Sequence, residues 1–343
     1  MEIVQLDRYE LTGLQGSGAD YEVRSGRDRN TGEEVVIKRP VPQMISRRMH
    51  ISVEQRTERT IRLHEELANS IPQVCPMLGY TDQDNHDDFF GDGLEQEYRV
   101  TVSQRAPGIP LVGDPRARIL RVPIGLGQNL FALFPLQNLD SDDPYPIQRQ
   151  LLDAEEQFHR AGYVLLDLGP HNVFLSPAVG RISIIDPGAL LDGENDRTPV
   201  GRASQDIHDF FLEVLKYYTA FQPPPAEVSG YRDPYNLRPV VNFEQELEDM
   251  ARGLSGEPTA TDDCRETGLA VIGRVRDRGY TSFDDFRSDY TALLEALRRR
   301  NSALPELAQA RQAWSSALEL LREDHWTKYV FDADREIDSL TID

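Results

Sequence analysis

Over the first forty residues apolar and polar side chains alternate in the two-residue rhythm of strands, broken at Gly13, Gly16, Gly18, Gly26 and at Asn30-Thr31-Gly32. That pattern predicts two successive hairpins, giving three antiparallel strands that end at Lys38. Residues 46 to 71 then contain no glycine or proline and are rich in helix formers, which predicts one helix closed by Pro72. Strand-like runs follow at Met77 to Thr81, Tyr98 to Ser103, Ile119 to Ile124 and Leu130 to Leu136. Between the first two lies Asp82 to Gly93, dense in Asp and Gly, expected as a solvated and mobile loop.

Beyond residue 145 the period lengthens to that of helices. Residues 146 to 161 open with Pro146 and set Leu151, Ala154, Phe158 and Ala161 at three- and four-residue spacing, one inward face of a helix. Short strands are expected at Val173 to Ser176 and Arg181 to Asp186, then a helix from about Gln205 to Ala220 that stops before the stiff Gln222-Pro223-Pro224-Pro225. Further helical patterns cover Phe243 to Gly253, Glu266 to Arg278 and a segment from Ser282, where Asp285 completes a capping-box-like start. A last one, about Leu304 to Glu323, precedes an acidic tail.

At 343 residues the chain exceeds one ordinary core and fits two lobes, with 39 % hydrophobic residues to fill them. Its net charge of −21 repels phosphate backbones and anionic lipid, so neither nucleic acid nor a membrane is an expected partner outside a local patch. The start, Met1 to Asp7, lacks a basic and a long apolar region, and no stretch is long enough to span a bilayer, so a cytosolic protein is expected. Cys75 and Cys264 stand apart with no metal spacing and are expected as buried free thiols.

Against this background a few residues carry chemistry. Gly16-Ser17-Gly18-Ala19-Asp20-Tyr21-Glu22-Val23 is a strand, turn and strand whose glycines, Gly16 and Gly18, let backbone amides approach a triphosphate, with Val23 as the floor of an adenine pocket. By itself a plain hairpin would look the same. Fifteen residues on, Glu34-Val35-Val36-Ile37-Lys38 ends in one of only three lysines, set against 34 arginines. An ammonium that pairs the α- and β-phosphates needs a carboxylate to hold it, and the helix offers Glu54, Glu58, Glu65 and Glu66, of which Glu58 has the best distance to the strand that follows.

Asp167-Leu168-Gly169-Pro170-His171-Asn172 sets an acid and an amide five positions apart on a tight loop, so that Asp167 could take a hydroxyl proton while Asn172 binds a metal. Ile184-Ile185-Asp186-Pro187-Gly188 then supplies a second oxygen ligand, Asp186, suited to a hard cation such as Mg²⁺.

These motifs, in this order, resemble the protein kinase superfamily from about Tyr9 to about Leu297. Gln150 to Asp167 resembles that family's helix leading into its catalytic loop. Ser204 to Phe210 resembles the start of its large central helix, where an aspartate, here Asp206, braces that loop. The resemblance implies an α+β, bilobal, protein-kinase-like fold: a β-rich nucleotide-binding lobe over residues 1–111, a hairpin or insertion over 112–140, a helical lobe over 141–300 and a tail over 301–343. It implies ATP and Mg²⁺ as cofactors and transfer to a hydroxyl of an unidentified protein or small-molecule acceptor, with Lys38 and Asp167 as catalytic residues. The adenine-binding hinge falls at Gln104 to Pro107 or at Phe134 to Leu136.

Departures from the family temper the expected activity. Tyr21 stands at the third glycine, Leu165 and Leu166 replace the His and Arg before the acid, Gly169 replaces a cation, and Pro187 replaces the Phe of Asp-Phe-Gly. Only twenty positions separate Asp186 from Asp206, too few for the usual peptide platform and its phosphorylation switch. A nucleotide-binding scaffold without catalysis and a small-molecule kinase are the other functions the sequence allows.

Overall fold

The computed structural model describes residues 1–17, 21–41, 50–91, 93, 95–107, 109–110, 145–164, 169, 172–176, 180–186, 191–192, 197–198, 201–202, 206–219, 221 and 242–304. Together these make an α+β protein with a mixed sheet in the N-terminal region and, among the described residues, seven α-helices. They divide into two compact units, the first formed by residues 1–106 and 184–186 and the second by 107–183 and 191–304.

The first unit is built on a six-stranded sheet: β1 (Glu2–Ile3), β2 (Tyr9–Ser17), β3 (Tyr21–Asp28), β4 (Glu34–Pro40), β5 (Met77–Tyr80) and β6 (Thr101–Gln104). Their spatial order is β1-β5-β6-β4-β3-β2, with β1 parallel to β5 and the other pairs antiparallel. Both sequence-predicted hairpins are present. The turn from β3 to β4 closes through Gly32 N–H on Asp28 O at 2.8 Å, with Gly32 at φ +75°, a conformation that glycine adopts without cost. Asp28 also accepts from Asn30 N–H and pairs with Arg8 at 2.6 Å, which ties the turn to the start of β2.

Alternation along β4 sorts its side chains. Val35, Ile37 and Arg39 are buried on one face, where Val35 and Ile37 join Val4, Leu6, Tyr9, Phe90, Tyr98, Val100 and Val102 in one apolar cluster. Val36 and Lys38 point to the opposite face. The stretch Asp82 to Gly93, expected as a solvated loop, contributes to that core: Asp84–Asn85 pairs with Glu97–Tyr98 as a short hairpin, and α2 (Asp87–Phe90) buries Phe90 against the sheet. Phe90 and Tyr98 are the reason, since two large aromatic rings outweigh the polar composition around them. Arg39 is 1 % exposed and lies 4.1 Å above the Phe90 ring, paired with Glu22 at 2.9 Å.

The helix expected over 46–71 is described as α1 (His50–Glu66), followed by a 3₁₀ turn at Ala68–Ser70. It ends before Pro72, because Leu67 leaves the helical region at ψ −57° and φ −141° and Asn69 is drawn into bonds with Met77.

In the second unit the helices are α3 (Pro146–Arg160), α4 (Ile207–Tyr218), α5 (Phe243–Gly256), α6 (Asp262–Arg276) and α7 (Phe283–Ala303). Asp206, Asn242, Thr261 and Ser282 each cap one N-terminus by accepting a backbone N–H of the first turn. Thr261 moves the start of α6 four residues ahead of the expected Glu266. Phe211 stacks on Phe286 at 4.0 Å between ring centres, and Phe286 on Tyr290 at 5.1 Å, joining α4 to α7. On α3 Leu151, Ala154 and Phe158 are buried as the spacing predicts, whereas Ala161 lies at the exposed end, and Glu155 turns inward with them. Val173–Ser176 is the middle strand of a three-stranded sheet between Arg181–Ile184 and Ile109–Pro110. The expected strands at 119–124 and 130–136 and the helix at 304–323 lie outside the described residues, apart from Leu304 at its edge.

Cys75 and Cys264 are buried free thiols. No described helix is long and apolar enough to cross a membrane.

Candidate functional site

Cross-strand register brings the sequence-chosen residues of the first unit into one row. Gly16 lies opposite Val23, Val23 opposite Lys38, and Lys38 opposite Thr101. Directly opposed residues of an antiparallel sheet share a face, so Gly16, Val23 and Lys38 are on one side, away from the apolar cluster. Gly18 lies outside the described residues.

The segment carrying Asp186 is fixed to the same unit by backbone. Ile184 N–H donates to Gln73 O at 2.7 Å, and Cys75 N–H donates to Ile184 O at 2.9 Å, forming a parallel bridge between Val74 and Ile184. Two residues on, Asp186 Oδ2 stands 3.4 Å from Lys38 Nζ. The two residues that sequence reading assigned to phosphate and to metal are therefore paired with each other.

Around them is a small cavity of about 30 Å³, lined by Tyr21, Lys38, Thr57, Thr60, His64, Met77, Thr101, Ser103, Ile185 and Asp186. It has room for a water-sized group. Helix α1 covers it with the stripe Thr57, Thr60 and His64, spaced three and four apart. Tyr21 closes one side: its hydroxyl lies 2.8 Å from Thr57 Oγ1 and 3.2 Å from Val53 O, which ties the glycine hairpin to α1.

Glu58, expected to hold Lys38, does not face it. Its carboxylate pairs with Arg99 at 2.5 Å and belongs to a separate, larger cavity of about 390 Å³ with Pro40, Glu54, Arg59 and Arg62. One residue along a helix is a turn of 100°, so Thr57 occupies the facing position and Glu58 the next face. No carboxylate of α1 lines the Lys38 cavity among the described residues. Sequence reading weighed the helix acids for this role and passed over Thr57, Thr60 and His64, although their spacing marks one face.

Burial holds the His64 imidazole below the ordinary histidine value; the Lys38 ammonium adds to this, and Asn69 and Asp186 oppose it. Burial pushes the Cys75 thiol up to about 11 against the opposing pull of Lys38, and its Sγ donates to Gln104 O at 3.1 Å. Gln104 is thus held inside the sheet, its N–H on Pro76 O at 2.9 Å, with Arg105, Ala106 and Pro107 following. The alternative hinge, Phe134 to Leu136, lies outside the described residues.

The remaining expected residues belong to the second unit. Asn172 is buried and donates its N–H to Gly169 O at 2.9 Å, a tight turn of the kind the hexapeptide suggested. Asp167 lies outside the described residues. Asp206 accepts from His208 N–H at 2.9 Å and pairs with Arg278, while His208 accepts from Tyr280 N–H at 3.0 Å. The short segment after Asp186 includes a two-residue hairpin, Arg197–Thr198 with Gly201–Arg202.

Asp186 and Asn172 offer hard oxygen donors of the sort Mg²⁺ accepts. Among the described residues no three His, Cys, Asp or Glu side chains cluster as a ready metal cage, so an ion at Asp186 would need ligands from a substrate or from water. No protein-family model and no curated protein matches the chain.

Proposed function

We propose that the chain is an ATP- and Mg²⁺-dependent phosphotransferase with a protein-kinase-like fold, acting on a hydroxyl acceptor. The observation that carries this is the Lys38–Asp186 pair at 3.4 Å, on the sheet face shared with Gly16 and Val23. An ammonium and a carboxylate held together beside a glycine hairpin can divide the work of binding a polyphosphate. Lys38 would neutralise the α- and β-phosphates, and Asp186 would bind the Mg²⁺ that neutralises the rest. Asp167 would orient the acceptor and take its proton. Asp186 supports this role by its accessibility, its side chain 43 % exposed and engaged by Lys38 at more than an ideal charge-assisted distance.

Purified protein incubated with labelled ATP and Mg²⁺, followed for both transfer and hydrolysis, tests the reading. Asp167→Asn is expected to lower turnover by roughly two to four orders of magnitude while ATP affinity holds. Asp186→Ala is expected to abolish most of the melting-temperature rise that Mg·ATP gives the wild type. Equal rises in both proteins would remove Asp186 from the site.

A second reading, a nucleotide-binding scaffold without catalysis, is favoured by one observation: among the described residues, the α1 face opposite Lys38 carries Thr57, Thr60 and His64 and no carboxylate. It requires the wild type to bind nucleotide and to show no transfer above background.

A further inference from the structure

Tyr21 stands two residues before Val23 on β3, so the two-residue period of a strand puts its side chain on the face of Val23 and Lys38. Glu22, between them, turns to the other face and pairs with Arg39. From that position the Tyr21 ring reaches α1, where its hydroxyl lies 2.8 Å from Thr57 Oγ1 and 3.2 Å from Val53 O.

The protons of this contact follow from the bonds around it. Thr57 has one hydroxyl proton and gives it to Val53 O at 2.9 Å, the carbonyl four residues back. Its oxygen is then an acceptor, and the Tyr21 O–H donates to it. A donor from the hairpin thus meets an acceptor from the helix.

Tyr21 and Thr57 also line the cavity of about 30 Å³ that holds Lys38 and Asp186, which admits one water-sized group. A polyphosphate is far larger, so it reaches Lys38 when a wall of this cavity moves. The walls differ in how they are held. Helix α1 is anchored by the buried Val53, Ile61 and Leu63, and the Asp186 segment by the backbone bridge between Val74 and Ile184. The start of β3 is joined to α1 by a hydroxyl contact, the weakest of these restraints.

We propose that Tyr21 and Thr57 form a latch: their hydroxyl contact ties the glycine hairpin to α1 and closes the space beside Lys38, and a polyphosphate binds when it opens. This deepens the reading of Lys38 as the phosphate-pairing residue and rests on it. A ligand that binds the open form alone has its affinity reduced by the fraction of the protein that is open, so a weaker latch raises the apparent affinity. The Tyr21 hydroxyl therefore adds stability while it opposes binding, and the two effects carry opposite signs.

The test measures Mg·ATP affinity by titration calorimetry on the full chain for the wild type, Tyr21→Phe, Thr57→Val and Thr57→Ser. Tyr21→Phe is expected to bind about fivefold more tightly, the factor that one net hydrogen bond represents. Thr57→Val leaves Val53 O as an acceptor for Tyr21, so its gain should be smaller, about twofold. Thr57→Ser keeps the hydroxyl and should bind as the wild type does. A tyrosine that only supports the fold predicts a Phe variant that is less stable and binds no more tightly. Unchanged or weaker binding by Tyr21→Phe would overturn the proposal.

Amide exchange over residues 21–23, measured without nucleotide, reads the latch separately. It should run up to about fivefold faster in Tyr21→Phe than in the wild type, and equal exchange in the two would also overturn the proposal. If exchange speeds as expected and none of the four proteins binds Mg·ATP, the nucleotide reading fails, while the latch stands as the contact that closes the Lys38 cavity.

Discussion

Glu155 is fully buried on the inward face of α3, and among the described residues neither carboxyl oxygen meets a hydrogen-bond partner. Burial drives its pKa well above the ordinary 4.5, the nearby Glu213 pushes in the same direction, and Arg287 opposes them weakly because it is engaged with Asp153, Glu156 and Asp284. An acid whose folded pKa is raised contributes stability that is complete below its unfolded value and is lost as pH climbs toward the folded one. Above pH 5 the unfolded chain releases this proton while the folded protein keeps it, so the second unit should lose up to about 1.4 kcal/mol per pH unit from this group. From pH 5 to 7 the melting temperature should therefore fall. Glu155→Gln has the same shape and no proton to lose. Its stability relative to wild type, measured by denaturant unfolding and by amide exchange along 146–160, should therefore rise steadily from pH 5 to 7. Glu155→Met also removes the unpartnered polar atoms and should add a pH-independent gain of about 1–3 kcal/mol. Parallel pH curves for wild type and Glu155→Gln would refute the reasoning, since they would mean that the carboxyl ionises in the fold as readily as in the unfolded chain.

Three further tests probe the first unit. Gly79→Ala would place a Cβ 2.5 Å from the backbone oxygen of Glu2 and the same distance from Val4 Cγ1, so β1 must shift off β5. A cost of about 1–3 kcal/mol is expected, with loss of exchange protection at Val4 N–H; a change under about 0.5 kcal/mol would show that β1 yields freely. Arg39→Met removes the buried guanidinium that pairs Glu22 and leaves that carboxylate to Arg24, an expected loss of about 3 kcal/mol in urea unfolding, and addition of Glu22→Leu should recover part of it. Tyr21→Phe deletes the hydroxyl bridging to Thr57 and should cost about 1 kcal/mol while raising amide exchange over residues 21–23; unchanged exchange there would show that the hairpin is held without it.

Hydrophobic period located most of the described elements. Apolar stripes at Leu151, Ala154 and Phe158 and the capping residue Ser282 mark their helices without tertiary information. The failures came where local composition and global packing disagree. Asp82 to Gly93 reads as solvated because acids and glycines dominate it, but burial of Phe90 with Tyr98 offsets the exposure of its polar neighbours. Thr261 is a helix cap separated from the apolar pattern by four residues, so periodicity alone started α6 late.

At the candidate site the same contrast holds at finer grain. A strand has a period of two, so Lys38 falls on the face opposite Ile37, and a single bridge at Val74 sufficed to bring Asp186 to it. A helix turns by 100° per residue, and choosing Glu58 by its charge and chain distance instead of its phase put the expected partner one face away. Phase would have selected Thr57, Thr60 and His64, but phase gives no chemistry: two of the three are hydroxyls that bond their own backbone. His64 in turn is held through Nδ1 by Asn69, five residues on, whose amide Met77 orients. Such a chain of bonds has no signature in spacing or composition.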